Sequence, residues 1–166
     1  MKSAHSTTAH DFRLSLEAGV IDRAEIVRWA DKLVLTEAYD DNIAEISMSS
    51  RKTDKEIEAL LGTVSCPEDY WNGLRAMLGR MHHSLITNPD RLHDFTRFLE
   101  RLWIRADYDI PKDLSFIVGL EDSYQLAELG HWGAVEDVRS DLLANLARYT
   151  PTTTEQGMAG QPASSP

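Results

Sequence analysis

Apolar residues along this chain recur at the spacing of amphipathic helices. The clearest series is Trp71, Leu74, Leu78, Met81 and Leu85, which places large side chains on one helical face. Alternating strand patterns are nearly absent. The sequence therefore predicts an all-α fold, a single compact domain of seven or eight helices. Further apolar series lie within 26–34, 92–102 and 135–146, and shorter helix candidates span 11–19 and 41–48.

Polar and small residues mark several predicted helix ends. Thr53 and Glu56 have the spacing of a capping box at a helix start. Gly62 follows a leucine pair and is predicted to end that helix. Pro111 is predicted to lie in the first turn of a later helix, which ends near Gly130.

Composition divides the chain into three parts. Hydrophobic residues make up 42% of the 166 positions, enough for the core of one domain. Residues 150–166 are rich in Thr, Ser, Pro, Gly and Ala, so burial there cannot offset the entropy of ordering. We predict a flexible N terminus over 1–10, a helical domain over 11–149 and a disordered tail over 150–166.

The charge and the cysteine content narrow the function classes. A net charge of −10 repels phosphates, so we expect no nucleic-acid binding and favour a cationic partner. The one cysteine, Cys66, excludes an internal disulfide and agrees with a reducing compartment. The N terminus lacks the apolar stretch of a secretory signal, and no apolar run could span a membrane. We expect a soluble, cytoplasmic protein.

No catalytic or cofactor motif stands out in the sequence. His82 and His83 are adjacent and would point about 100° apart on a helix, which suits surface residues better than metal ligands. Cys66 precedes a predicted helix start, where a thiol can be activated, but a partly buried structural cysteine is the favoured interpretation. We therefore expect a non-enzymatic protein with no metal and no cofactor.

The densest charge lies between residues 106 and 137. This segment holds eight carboxylates and one lysine, a net charge of −7. On a helical wheel Glu121, Asp122 and Glu128 share one arc, which is either an ordinary solvated face or a binding face. Aromatic residues flank it and are favoured interface anchors. The predicted partner-binding residues are Asp107, Tyr108, Asp109, Asp113, Glu121, Asp122, Glu128, Trp132, Glu136 and Asp137.

Some of these carboxylates have a local explanation. Asp107, Asp109 and Asp113 border a predicted helix start, and Glu136 and Asp137 begin the last helix, where negative charge is favoured by the helix dipole. Capping therefore competes with partner binding as their role.

A basic row precedes the acidic segment. His93, Arg97, Arg101 and Arg105 recur every four residues along one helix. We expect this row to pair with the acidic segment inside the molecule, because arginine binds carboxylates bidentately and successive helices are usually neighbours. The alternative is a second, oppositely charged surface.

Two segments resemble a known class of proteins. GVIDRAEIVRWADKLV (19–34) and FIVGLEDSYQLAELGHWGAVEDVRSDLLANL (116–146) are similar to segments of small helical immunity-type proteins of bacterial polymorphic toxin systems. The resemblance implies a cytoplasmic inhibitor that binds and occludes a cognate toxin, with the acidic face engaging a basic toxin domain. The alternative is a helical adaptor or scaffold protein in a larger cytoplasmic assembly.

Overall fold

The computed structural model describes residues 5–36 and 41–151. These residues form eight α-helices and no strand, so the predicted all-α fold with seven or eight helices is confirmed. Residues 152–166 of the predicted tail and 1–4 of the predicted N terminus lie outside the described residues. The helices are α1 (Ser6–Glu17), α2 (Arg23–Leu35), α3 (Asp41–Ser47), α4 (Asp54–Val64), α5 (Tyr70–Thr87), α6 (Leu92–Arg105), α7 (Leu120–Glu128) and α8 (Val135–Leu146).

Short 3-10 helices extend or connect these elements. Pro67–Asp69 leads into α5, Pro89–Arg91 leads into α6, and Ala147–Tyr149 continues α8. Prolines begin the first two, where a missing N–H costs no helical hydrogen bond. The fourth 3-10 helix, Lys112–Ile117, lies between α6 and α7.

Helix α1 lies at the centre of the fold. It begins at Ser6, so the prediction of a flexible N terminus over 1–10 is wrong for residues 6–10. The reason is burial, since Ala9 and His10 are covered and the neighbouring helices fix this first turn. Most of α1 is buried, including the polar side chains of Asp11 and Ser15.

Two hydrophobic cores meet at α1. Leu14 packs in the larger core, which α5, α6, α7 and α8 complete together with the Lys112–Ile117 turn. Ala9 and Phe12 pack in the smaller core with α2, α3 and α4. The apolar series of α5 is confirmed, because Leu74, Leu78, Met81 and Leu85 are all buried while Trp71 packs at the edge.

The half-buried Arg80 of α5 links α1 to helices on both sides. The Arg80 Nε donates to Asp11 Oδ2 at 3.1 Å, and Arg80 Nη1 donates to Glu25 Oε1 at 2.5 Å. The guanidinium also lies 5.1 Å from the centre of the Phe12 ring. Burial raises the pKa of Asp11, against the opposing effect of Arg80. One arginine of α5 thus joins α1 and α2 through their carboxylates.

Local packing changes two of the predicted helix ends. The Thr53–Glu56 capping box is confirmed, but Gly62 lies inside α4, which continues to the buried Val64. The single helix predicted from Pro111 to near Gly130 is wrong. It is split into a 3-10 turn and α7 by Gly119, whose φ of 72° is left-handed.

Candidate functional site

The turn between α7 and α8 exposes a cluster of large apolar side chains. Trp132 is 79% exposed and Leu129 is 67% exposed. Single exposed apolar residues are common, but several within ten residues of folded chain are typical of an interaction surface. We define the apolar corner as Leu126, Leu129, Trp132 and Val135, all of them exposed.

Two glycines shape the turn that carries Trp132. Gly130 and Gly133 both have a φ of 70°, a conformation that glycine adopts without steric cost. The backbone amides of His131 and Trp132 both donate to the carbonyl oxygen of Leu126, at 2.9 and 3.3 Å. The chain therefore folds back on the last turn of α7, and the backbone of Trp132 lies beside Leu126.

Four exposed carboxylates border this corner, and we call them the acidic rim: Asp122, Glu128, Glu136 and Asp137. Asp122 forms no hydrogen bond or ion pair with any described residue. Glu128 Oε1 accepts from the Tyr124 hydroxyl at 3.2 Å, and Arg139 Nη2 donates to Glu136 Oε1 at 2.5 Å. The rim thus keeps most of its negative charge toward solvent.

Asp137 combines rim exposure with a local structural role. Its Oδ2 accepts from the Ala134 backbone amide at 3.3 Å, just before α8 begins. A carboxylate in this first turn also interacts favourably with the helix dipole. The sequence-based explanation of Asp137 as a residue of the helix start is therefore confirmed, whereas any contact with a partner stays a prediction.

Glu121 does not belong to the solvent face on which the helical wheel placed it. The side chain is only 3% exposed, because α7 packs on α6 through the row of Glu121, Tyr124 and Ala127. Residues three apart share a helical face, so Glu121 follows Tyr124 into the contact. Glu121 cannot contact a partner in this conformation. The prediction that it shares one exposed face with Asp122 and Glu128 is therefore wrong for Glu121.

Polar partners compensate for the burial of Glu121. Thr96 donates its hydroxyl to Glu121 Oε2, and Gln125 Nε2 donates to Oε1 at 3.0 Å. His93 Nε2 lies 3.4 Å from Oε1, and the His93 ring stacks on Tyr124 with centroids 4.7 Å apart. A buried carboxylate is tolerated when it is hydrogen-bonded in this way.

The loop after α6 forms a separate group of predicted site residues. Asp107 and Tyr108 have left-handed backbone conformations, with φ of 53° and 63°. The Tyr108 ring packs edge-on against Trp103, with ring centroids 4.9 Å apart. Asp107, Tyr108 and Asp109 are exposed. Within the described ranges, no hydrogen bond, ion pair or ring contact joins this loop to the apolar corner.

Asp113 is occupied by contacts inside the molecule. Arg75 binds it bidentately, with Nε 2.8 Å from Oδ2 and Nη2 2.9 Å from Oδ1. The Tyr149 hydroxyl donates to the Asp113 carbonyl oxygen at 2.9 Å. The hydrogen bond from Arg75 holds the pKa of Asp113 below its usual value. Of the predicted binding residues, Asp113 is therefore the one whose charge is already paired by an arginine of another helix.

The basic row of α6 pairs only partly as expected. His93 meets Glu121, as predicted for the acidic segment. Arg105 instead binds Glu17 of α1, with Nη2 2.9 Å from Oε1. Arg97 and Arg101 are exposed and make no ion pair with any residue the structure describes. The prediction that this row pairs with the acidic segment is therefore wrong for Arg97, Arg101 and Arg105.

Sequence reasoning missed most of the apolar corner. Val135 begins the apolar series within 135–146, whose period predicts an inward face, whereas it is exposed at the start of α8. Leu126 and Leu129 belong to no apolar series of the sequence, although both precede the glycine-rich turn. The usable signal was the run Leu129 to Gly133, in which glycines interrupt the helical periodicity around a tryptophan.

Other kinds of site have weaker structural support. In the parts of the chain that the structure describes, no three His, Cys, Asp or Glu side chains come together as a metal site would require. No described helix combines the length and the apolar character needed to cross a membrane. Cys66 is partly buried, and its backbone amide donates a hydrogen bond to Ser6 Oγ at 2.7 Å.

No protein-family model matches the chain, and it has no significant match among curated proteins or among solved structures. Its function is therefore inferred from its own surfaces.

Proposed function

We propose that this protein is a non-enzymatic binding protein that inserts the apolar corner into a basic protein partner. The observation that carries the proposal is Trp132, a tryptophan 79% exposed at a tight turn and bordered by carboxylates. Tryptophan is among the residues that dominate interface energetics, and an acidic rim favours encounter with a basic surface.

The partner class follows from the chemistry of this corner. Leu129 and Trp132 would fill an apolar pocket, and Asp122 and Glu128 would face lysine or arginine side chains around it. The resemblance of segments 19–34 and 116–146 to immunity-type proteins makes a bacterial toxin domain the proposed partner. The protein would then act by occlusion, covering a basic functional surface of the toxin.

The first experiment identifies the partner by function. The protein is co-expressed with the product of the gene adjacent to its own, and growth is scored. The proposal predicts that the neighbour is toxic alone and that co-expression restores growth. A toxic neighbour that is not neutralised would contradict the inhibitor function.

The second experiment locates the binding surface on the purified complex. Trp132→Ala should weaken binding by about 2 kcal/mol or more, roughly 30-fold in Kd, as expected for a buried interface anchor. Asp122→Lys with Glu128→Lys should mainly slow association and reduce its salt dependence. Association and dissociation rates are measured at two salt concentrations.

Matched control variants separate the corner from the rest of the surface. Leu35→Ala removes an apolar side chain that is 83% exposed on α2, and it is compared with Leu129→Ala. Glu68→Lys with Asp90→Lys changes the net charge by the same amount at other exposed positions. Equal effects of the control and corner variants would exclude the apolar corner as the interface.

A helical adaptor is the second candidate function. The exposed Arg97 and Arg101 on α6 have no ion pair within the described residues, so a basic surface accompanies the acidic rim. An adaptor could bind two partners of opposite charge. Arg97→Glu with Arg101→Glu should then release one partner and leave the other bound, which affinity purification would detect. An occluding inhibitor would keep its toxin in that variant.

A further inference from the structure

A cavity of about 500 Å³ lies where α1, the start of α5 and the end of α6 converge. This volume is in the range of small-molecule sites. Its wall includes His10, Arg13, Pro67, Tyr70, Trp71 and Arg105. None of these residues belongs to the apolar corner or to the acidic rim.

The aromatic part of the wall is held in a fixed arrangement. The Tyr70 ring lies edge-on to His10 at 5.5 Å and to Trp71 at 5.0 Å. His10 is itself fixed, because its Nε2 lies 2.8 Å from the carbonyl oxygen of Cys66, to which it donates. Rings locked by such contacts form a preorganised surface against which a planar ligand can pack.

The polar part of the wall includes hydrogen-bond donors. Arg13 makes no hydrogen bond or ion pair with any described residue, and neither does the hydroxyl of Tyr70. Arg105 already forms an ion pair with Glu17, with Nη2 2.9 Å from Oε1. Burial raises the pKa of Tyr70 despite the opposing charges of Arg105 and Arg13, so its hydroxyl stays protonated and able to donate.

The charges of the cavity wall indicate which charged group a ligand should carry. Glu17 already binds Arg105, whereas Arg13 is the cation of the wall that forms no ion pair with a described residue, although the carboxylate of Glu58 lies near enough for the two charges to interact. A carboxylate would supply one negative charge and two acceptor oxygens, which suit a guanidinium and a phenol hydroxyl. A phosphate monoester would bring up to two charges at neutral pH and leave one of them uncompensated.

We propose that this cavity binds a small planar carboxylate, with its carboxylate on Arg13 and the Tyr70 hydroxyl and its ring against the Tyr70 and Trp71 side chains. The site is separate from the proposed protein-binding corner, and it would make this protein a receptor for a small organic acid. The proposal does not depend on the identity of the protein partner.

The test uses 2-naphthoate as the probe with the full-length protein. Binding is measured by calorimetry, and the indole resonances are followed by NMR. The uncharged 2-naphthalenemethanol and the more highly charged 2-naphthyl phosphate are compared at the same concentrations. We expect saturable binding of the carboxylate below about 1 mM, and binding at least tenfold weaker for both other compounds. Equal binding of the alcohol, or tighter binding of the phosphate, would overturn the proposal.

Variants connect the binding to the cavity. Arg13→Ala should weaken 2-naphthoate binding at least tenfold, and Tyr70→Phe, which removes only the hydroxyl, should weaken it several-fold. Arg97→Ala is the matched control, because Arg97 is an exposed arginine of α6 outside this cavity. Unchanged affinity in Tyr70→Phe and Arg13→Ala would exclude the site, and if Arg13→Ala fails to fold, Tyr70→Phe alone decides.

Discussion

At the scale of single residues, Gly73 determines how closely the central helix can pack. A Cβ at this position would overlap that of His10 and would lie 2.8 Å from the backbone nitrogen of Asp11. Those atoms belong to α1, whose backbone is held by both cores, so they cannot move away easily. Gly62 differs, since the nearest atom to its Cβ position is the flexible Arg13 side chain at 3.7 Å.

We therefore predict opposite effects of alanine at the two glycines. Gly73→Ala should lower the free energy of unfolding by about 1–3 kcal/mol through overpacking. Gly62→Ala should raise it by roughly 0.5–1 kcal/mol, because alanine stabilises a helix interior. Denaturant unfolding of both variants measures the difference. A Gly73→Ala protein as stable as the wild type would contradict this account of the α1–α5 contact.

At the scale of elements, α7 is attached to α6 through a polar contact. Glu121 lies at the centre of this contact, with Thr96 and His93 of α6 on one side. The helix has nine residues, too few to be stable alone in water. Its position, and therefore that of the apolar corner that follows it, depends on this contact.

We predict that Glu121→Ala loosens α7. Removing the Glu121 side chain leaves polar groups of α6 without their partner, which should lower the free energy of unfolding by about 1–3 kcal/mol. Amide hydrogen exchange should accelerate in α7 more than in α5. Asp122→Ala is the control, because that neighbouring carboxylate is exposed and unpaired within the described residues. Equal exchange rates in the two variants would show that the buried carboxylate does not fix the helix.

At the scale of the whole molecule, α1 makes one cooperative unit out of two cores. Leu14 faces the larger core, whereas Phe12 faces the smaller one. Neither core can lose its packing without exposing one side of the same helix. The tryptophans report on both, since Trp29 packs against the smaller core and Trp103 against the larger.

We predict a single unfolding transition in which both cores are lost together. Ile57→Ala in the smaller core and Leu78→Ala in the larger core should each cost about 2–5 kcal/mol. Within each variant, the unfolding midpoint measured by circular dichroism should equal the midpoint measured by tryptophan fluorescence. Separate midpoints, with Ile57→Ala moving only one of them, would show that the cores unfold independently.

Local patterns in the sequence determined the helical class and much of the interior. Leu74, Leu78, Met81 and Leu85 follow the helical period and are buried, because that period alone places them on one face. The Thr53 capping box likewise needs only neighbouring residues. The strongly acidic character of 106–137 was also visible from composition.

Only the tertiary structure decided which residues of each face meet another helix. Glu121 and Asp122 are adjacent carboxylates, yet the first is buried against α6 and the second is exposed. Leu129 and Val135 look like core residues, yet the turn at Gly130 and Gly133 directs the chain so that both stay exposed. The physical reason is that periodicity fixes the directions of side chains relative to one another, whereas burial depends on contacts between residues far apart in the chain.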